Sequence, residues 1–147
     1  LRMIDQVAVL VPDGGPHGLG IVRGTAAVDP NAWFFKAHFH QDPVWPGSLG
    51  LESFLQLLKV YAVQRWGERL GATHRFEPIA LGMEHRWKYR GQIVPRSLQV
   101  TVEAVVTHCT EGAAPVVVAD GFLSVDGVCI YEMSGLALRL VEAGAPG

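Results

Sequence analysis

At 147 residues the chain fits a single domain of ordinary size. With 49% apolar and 18% charged residues it is too apolar for a disordered segment, and no stretch of about 18 uncharged apolar residues marks a transmembrane helix. A formal net charge of -2 gives no electrostatic case for nucleic acid, and two cysteines, Cys109 and Cys129, are too few for a disulfide scaffold. The cytoplasm is therefore the expected setting, with no membrane association. The opening LRMIDQ agrees, having no charged leader ahead of an apolar core.

In chain order, MIDQVAVLV is rich in β-branched residues and stops at the turn-forming PDGGPHG. LGIVRGTAAV reads as the return strand of a hairpin. The next stretch, DPNAWFFKAHFHQDPVWPG, is punctuated by Pro and Gly and has no helical period, so it is expected to be an ordered loop with aromatic anchors. A helix is predicted from Ser48, as N-cap, to about Leu70, ending before Gly71. Its apolar residues cover most of the circumference, the pattern of a buried helix. After a loop at GATHRFEP, the text turns to strands. IALGMEHRWKYRG alternates, with Trp87 and Tyr89 on one side and Arg86 and Lys88 on the other. SLQVTVEAVVTHC, PVVVADGFLSV and VCIYEMSGLALRLV follow, the last two joined by a tight VDG turn. One domain is expected over 1–142, with 143–147 as a tail. A sheet this long must pack against something, and the helix is the only candidate. The expected class is α+β: a curved antiparallel sheet wrapped around one long helix.

The chemistry concentrates in AHFHQDPVWPGSLGLESFLQLLK. Glu52 lies in an otherwise apolar run. With Ser48 as N-cap, the capping-box position is Leu51, so Glu52 falls one residue too late to cap. Glu52, Gln56 and Lys59 could form a narrow polar stripe along the helix. Alternatively Glu52 projects into a dry pocket, where burial favours the protonated acid while the positive end of the helix favours carboxylate. PGSLG sets backbone N–H groups, beginning at Gly47, at the helix start. There they can polarise a carbonyl and stabilise an enolate forming on it. His38, His40 and Asp42 could be metal ligands, but no further His or Cys falls at a ligand-like spacing. His40 reads as an ordinary polar residue, and Asp42 as a brace for the loop before Pro43. An imidazole base, an oxyanion donor and a carboxylic acid together suit removal of a proton next to a thioester carbonyl and loss of a β-hydroxyl as water.

The string WFFKAHFHQDPVWPGSLGLESFLQLLK resembles the β-hydroxyacyl-acyl-carrier-protein dehydratases, which have the hotdog fold. It is most similar to the hydroxydecanoyl (FabA-like) type and to dehydratase domains of polyunsaturated fatty acid synthases and iterative polyketide synthases. The specific part is H-F-x-x-D-P-V-x-P-G with an acid fourteen residues after its His. The resemblance implies that His38 is the catalytic base, Glu52 the acidic partner and Gly47 the residue whose N–H holds the thioester oxygen. It implies that the His and the acid of one site come from different hotdog units, as a homodimer or a pseudo-dimer. It further implies an acyl carrier protein as substrate carrier, with no metal or cofactor. Phe39, Trp45, Pro46, Ser48 and Gln56 are the expected substrate contacts. Trp33, Phe34 and Phe35 are core residues that could also line an acyl tunnel. Two positions depart from the hydroxydecanoyl pattern: Glu52 stands where those enzymes have Asp, and Ser48 where they have Cys. The extra methylene of Glu moves the acid by about 1.5 Å, and a misplacement of about 1 Å can cost much of a rate. Dehydration is therefore carried over and the trans-2 to cis-3 isomerisation is not. Two rival readings are a hotdog thioesterase, with Glu52 activating water, and a non-catalytic scaffold unit.

Overall fold

Alternation decides most of the architecture. The structure, a computed structural model, describes residues 1–77 and 79–144. Strand β1 (Gln6–Val11) returns as β2 (Ile21–Ala27) around the Pro- and Gly-rich turn, antiparallel as expected. Two helices follow, α1 (Trp33–Ala37) and α2 (Gly47–Trp66). Then come β3 (His74–Phe76), β4 (Arg86–Tyr89), β5 (Gln99–Thr110), β6 (Val116–Val125) and β7 (Val128–Glu142). The sheet order is β1-β2-β5-β6-β7-β3, with β4 also pairing with β7, and every pairing is antiparallel. Strand β7 is long enough to serve two short neighbours, β4 along Tyr131 to Ser134 and β3 along Leu140 to Glu142.

Along β5, Val100, Val102, Ala104 and Val106 are buried, and along β6 so are Val117, Ala119, Leu123 and Val125. These period-two rows face α2, which packs on β2, β5, β6 and β7. Register shifts between Val106 and His108 and between Ala119 and Gly121 mark bulges, which bend and twist the strands into a curved wrap. In the VDG turn, Asp126 and Gly127 have φ of 49° and 82°, the paired positive angles of a tight hairpin. Asp126 also accepts from the backbone N–H of Leu98 and Gln99, tying the turn to the start of β5. The result is the hotdog arrangement, one helix held in a curved antiparallel sheet.

Several elements differ from expectation. The stretch 33–37 is helical where a loop is expected. Phe34 and Phe35 are buried, and Phe34 meets Trp45 edge-on at 5.8 Å, so tertiary contacts stabilise a turn too short to show a period. GATHRFEP contains β3, three residues that β7 recruits. The strand expected around RWKY is only four residues long, and all four are exposed. Helix α2 begins at Gly47 with Pro46 as N-cap, not at Ser48, and it ends at Trp66. At the far end Ala143 N–H donates to Thr73 O at 2.8 Å, while 145–147 lie outside the described residues.

Helix α2 is not covered all round. Phe54, Leu57, Leu58, Tyr61, Ala62 and Trp66 are buried, whereas Leu51 and Leu55 are only half-buried and Val63 is 53% exposed. Leu57 is fully buried at the centre of the wrap. Leu57→Ala is expected to lower the unfolding free energy by about 3 kcal/mol, read as a lower urea midpoint at unchanged slope. A loss below about 1 kcal/mol would contradict α2 as the core element.

Candidate active site

His38 follows directly on α1, its N–H donating to Phe34 O at 2.9 Å. Its Nδ1 lies 3.0 Å from Val44 O. A carbonyl only accepts, so Nδ1 carries the hydrogen and the neutral ring keeps Nε2 as the lone-pair nitrogen. Among the described residues nothing occupies Nε2. The loop that makes this possible is strained: Phe39 and Gln41 have φ of 62° and 64°, left-handed values unfavourable for such side chains. Buried Trp45 anchors the loop from its far side, its N–H donating to Ile93 O at 2.9 Å. Asp42 and His40 are exposed and, among the described residues, hydrogen-bond to nothing, so the bracing expected of Asp42 falls to the His38–Val44 bond. No three His, Cys, Asp or Glu side chains among the described residues converge as metal ligands, His38, His40 and Asp42 included.

Proline at the N-cap of α2 has consequences for the chemistry. A Ser, Thr, Asp or Asn at that place would bond back to the first-turn N–H groups, whereas Pro46 makes no side-chain cap. Gly47 and Ser48 thus present uncapped N–H groups at the positive end of a 20-residue helix. Gly47 leaves its own amide unshielded, and a β-carbon there would come 2.9 Å from the Trp87 ring. Trp87, Tyr89 and Tyr131 form an aromatic cluster beside this turn, with Trp87 5.6 Å and Tyr89 4.9 Å from Tyr131. Tyr131 is buried, and its hydroxyl lies 3.3 Å from Gly47 O, to which it donates. Burial pushes the Tyr131 hydroxyl far above the ordinary phenol range, so it is a proton-bearing donor at any working pH.

Glu52 is half-buried one turn into α2, and its Oε1 accepts from Gln56 Nε2 at 3.0 Å. Gln56 Nε2 also donates to Leu1 O, and Gln56 Oε1 accepts from Met3 N–H, both at 2.7 Å. The Gln56 amide is thus engaged through both its oxygen and its nitrogen. These bonds tie Gln56 both to Glu52 and to the segment before β1. The stripe ends at Gln56, because the Lys59 ammonium lies instead over the Phe76 ring, 5.9 Å from its centre. Phe39 is 63% exposed and stacks beside the His38 ring at 4.3 Å. Trp45 and Pro46 frame the loop, and Ser48 is exposed on the first turn. A cleft of about 530 Å³ opens between the segment before β1 and α1, lined by Met3, Trp33, Phe34 and Trp45 among others, but neither His38 nor Glu52 lines it. Among the described residues no hydrogen bond or ion pair joins His38 to Glu52 in one chain. Sequence reasoning misses Tyr131. The available signal is Gly47-x-x-Gly50, two small residues on one helix face, which marks a close approach.

A family model described as a FabA-like domain matches residues 1–134. The chain belongs to the FabA-like family. This FabA-like chain is 41% identical over 141 residues to a polyunsaturated fatty acid synthase subunit of Thraustochytrium sp., an alignment covering 93% of the chain and 9% of that relative. The chain therefore spans 9% of the length of the curated relative it matches. Among solved structures, the dehydratase heterocomplex ApeI:P of Xenorhabdus doucetiae superposes with a TM-score of 0.60 at 16% identity, over 98% of this chain and 84% of that one. A mutant thioesterase of Pseudomonas aeruginosa superposes with a TM-score of 0.54 at 17% identity, over 84% and 76%. At those identities the two structures share the hotdog fold with the FabA-like chain and nothing finer. No helix is long and apolar enough to cross a membrane among the described residues.

If Gln56 aims the acid, Gln56→Leu removes all three of its side-chain bonds while keeping most of the bulk. The expected result is a kcat about tenfold lower, the equivalent of about 1.4 kcal/mol, at little changed KM. An unchanged kcat in steady-state assays would contradict the aiming role.

Proposed function

We propose that this domain dehydrates β-hydroxyacyl thioesters, delivered on acyl carrier protein, to enoyl thioesters within fatty acid or polyketide synthesis. The observation that carries the reading is the pairing of a bare His38 Nε2 with uncapped N–H groups at the start of α2 in a chain of the FabA-like family. His38 Nε2 takes the proton on the carbon next to the thioester carbonyl. The electron pair moves onto the carbonyl oxygen, where the Gly47 N–H and the positive helix end hold the enolate. The enolate then collapses to the α,β double bond as the β-carbon–oxygen bond breaks. Glu52 gives its proton to the departing hydroxyl, which leaves as water, and the His38 proton returns to Glu52 through solvent. The step as written draws on no metal and no redox cofactor.

A second hotdog unit completes the site in this reading, as a homodimer or as a pseudo-dimer in a longer polypeptide. Two features support it. Strand β4 is an exposed edge carrying Trp87 at 38% and Tyr89 at 42% exposure, the sort of unpaired edge that recruits another strand. The half-open row Leu51, Glu52 and Leu55 on α2 is an apolar face interrupted by the one acid the chemistry needs. Exposed Lys36 offers positive charge to an acidic carrier, whereas Arg86 and Lys88 of β4 already lie beside Glu84 and Glu132.

Product analysis on a β-hydroxyacyl thioester tests the reaction. The expected product is the enoyl thioester by mass spectrometry, lost in His38→Ala and in Glu52→Gln. Free acid with the thioester cleaved would establish hydrolysis instead. Within the assembled synthase, His38→Ala should abolish one dehydration step, and unchanged product there would support a scaffold role.

A further inference from the structure

The Tyr131 hydroxyl donates to Gly47 O at 3.3 Å, and the Tyr131 ring lies so close under Gly50 that a β-carbon there would overlap it. Gly47 and Gly50 are three residues apart, on one face of the first helical turn. The ring therefore seats that turn at two points, one polar and one steric. We propose that Tyr131 is a positioning residue for the oxyanion donor: it fixes the first turn of α2 from the sheet side, so that the Gly47 N–H is aimed before substrate arrives. This inference rests on the dehydratase reading, which assigns Gly47 that role.

The case is one of rigidity. With Pro46 as N-cap, no side chain of the loop holds the first turn. The first turn of a helix frays unless something ties it down. An oxyanion donor that moves loses the advantage of preorganisation, which is that no reorientation is needed when charge develops. Strand β7 supplies the tie from outside the helix, and Tyr131 sits there opposite Tyr89 of β4. Trp87 packs beside Tyr131 against the same glycine, since a β-carbon at Gly47 would come 2.9 Å from the indole and 3.8 Å from the phenol oxygen. The bond also polarises the Gly47–Ser48 peptide, whose N–H is the second uncapped donor of the turn.

A structural role must be separated from a positioning one. Tyr61 provides the comparison: it too is a buried tyrosine donating to a carbonyl, Leu19 O at 2.6 Å, but from the opposite half of α2. Tyr131→Phe and Tyr61→Phe should both lower the melting temperature. Only Tyr131→Phe is expected to lower kcat, by about five- to tenfold with KM within twofold of the wild type. In the folded chain, Tyr131→Phe should also move the carbonyl carbon resonance of Gly47 and the amide nitrogen resonance of Ser48, with Tyr61→Phe leaving both in place. A kcat for Tyr131→Phe within twofold of the wild type overturns the proposal, and so does an equal fall in the two variants. Unmoved Gly47 and Ser48 resonances overturn it without reference to turnover. A wild-type chain that performs no dehydration overturns the reading on which the inference rests, and the resonances then still decide whether the clamp exists.

Discussion

A helix with more apolar surface than one sheet can cover sets the terms for everything else in this molecule. The curved sheet buries Phe54, Leu57, Leu58, Tyr61, Ala62 and Trp66. It covers Leu51 and Leu55 only in part and leaves Val63 exposed. Each Å² of such surface left in water costs about 25 cal/mol, so a second body that covers the row is favoured. Strand β4 adds an unpaired edge and two aromatic rings to the same demand. Glu52 lies in the uncovered row, and His38 lies on a separate loop with no bond to it. On the proposed reading, the acid lies where the packing deficit lies, and covering that deficit with a second unit is what would bring it to the base.

Within one unit, each group is prepared separately. His38 has its tautomer set by a carbonyl of its own loop, at the cost of two left-handed residues, Phe39 and Gln41. Anchoring by the buried rings of Phe34 and Trp45 offsets that strain. The N–H groups at the start of α2 are free because proline cannot cap them. Glu52 is aimed by Gln56, which is itself tied to the segment before β1. Such preparation lets a site stabilise developing charge without reorganising at the moment of reaction.

How much of this is legible in the chain depends on whether local pattern or tertiary contact decides each element. β5, β6 and β7 show as alternation and the VDG turn as a positive-φ pair, because both are local. α2 shows as a long apolar run, yet its N-cap lies two residues earlier than the pattern suggests, since Ser48 is a better cap by propensity than Pro46 and loses to the geometry of the loop. The helix α1 and the strand β3 are too short for any period and exist because buried phenylalanines and the long β7 hold them. His38, Gly47 and Glu52 stand out because they fall in one short motif, and the roles proposed for them come from the resemblance that motif carries. The sequence cannot show that Leu1 and Met3 engage the Gln56 amide, because those contacts span more than 50 residues of chain. Tyr131 stays hidden because its partner lies 84 residues away in the chain.

The claim that the site is shared between two units has a direct test in mixing two inactive variants. His38→Ala and Glu52→Gln, each inactive alone, are unfolded together, refolded and assayed for enoyl thioester. A hybrid pair contains one site lacking both groups and one site with both intact. Random pairing therefore restores about a quarter of wild-type activity. That recovery is the result the account requires. No recovery from a mixture shown by mass spectrometry to contain the hybrid pair would place His38 and Glu52 of each site in the same chain, contradicting it.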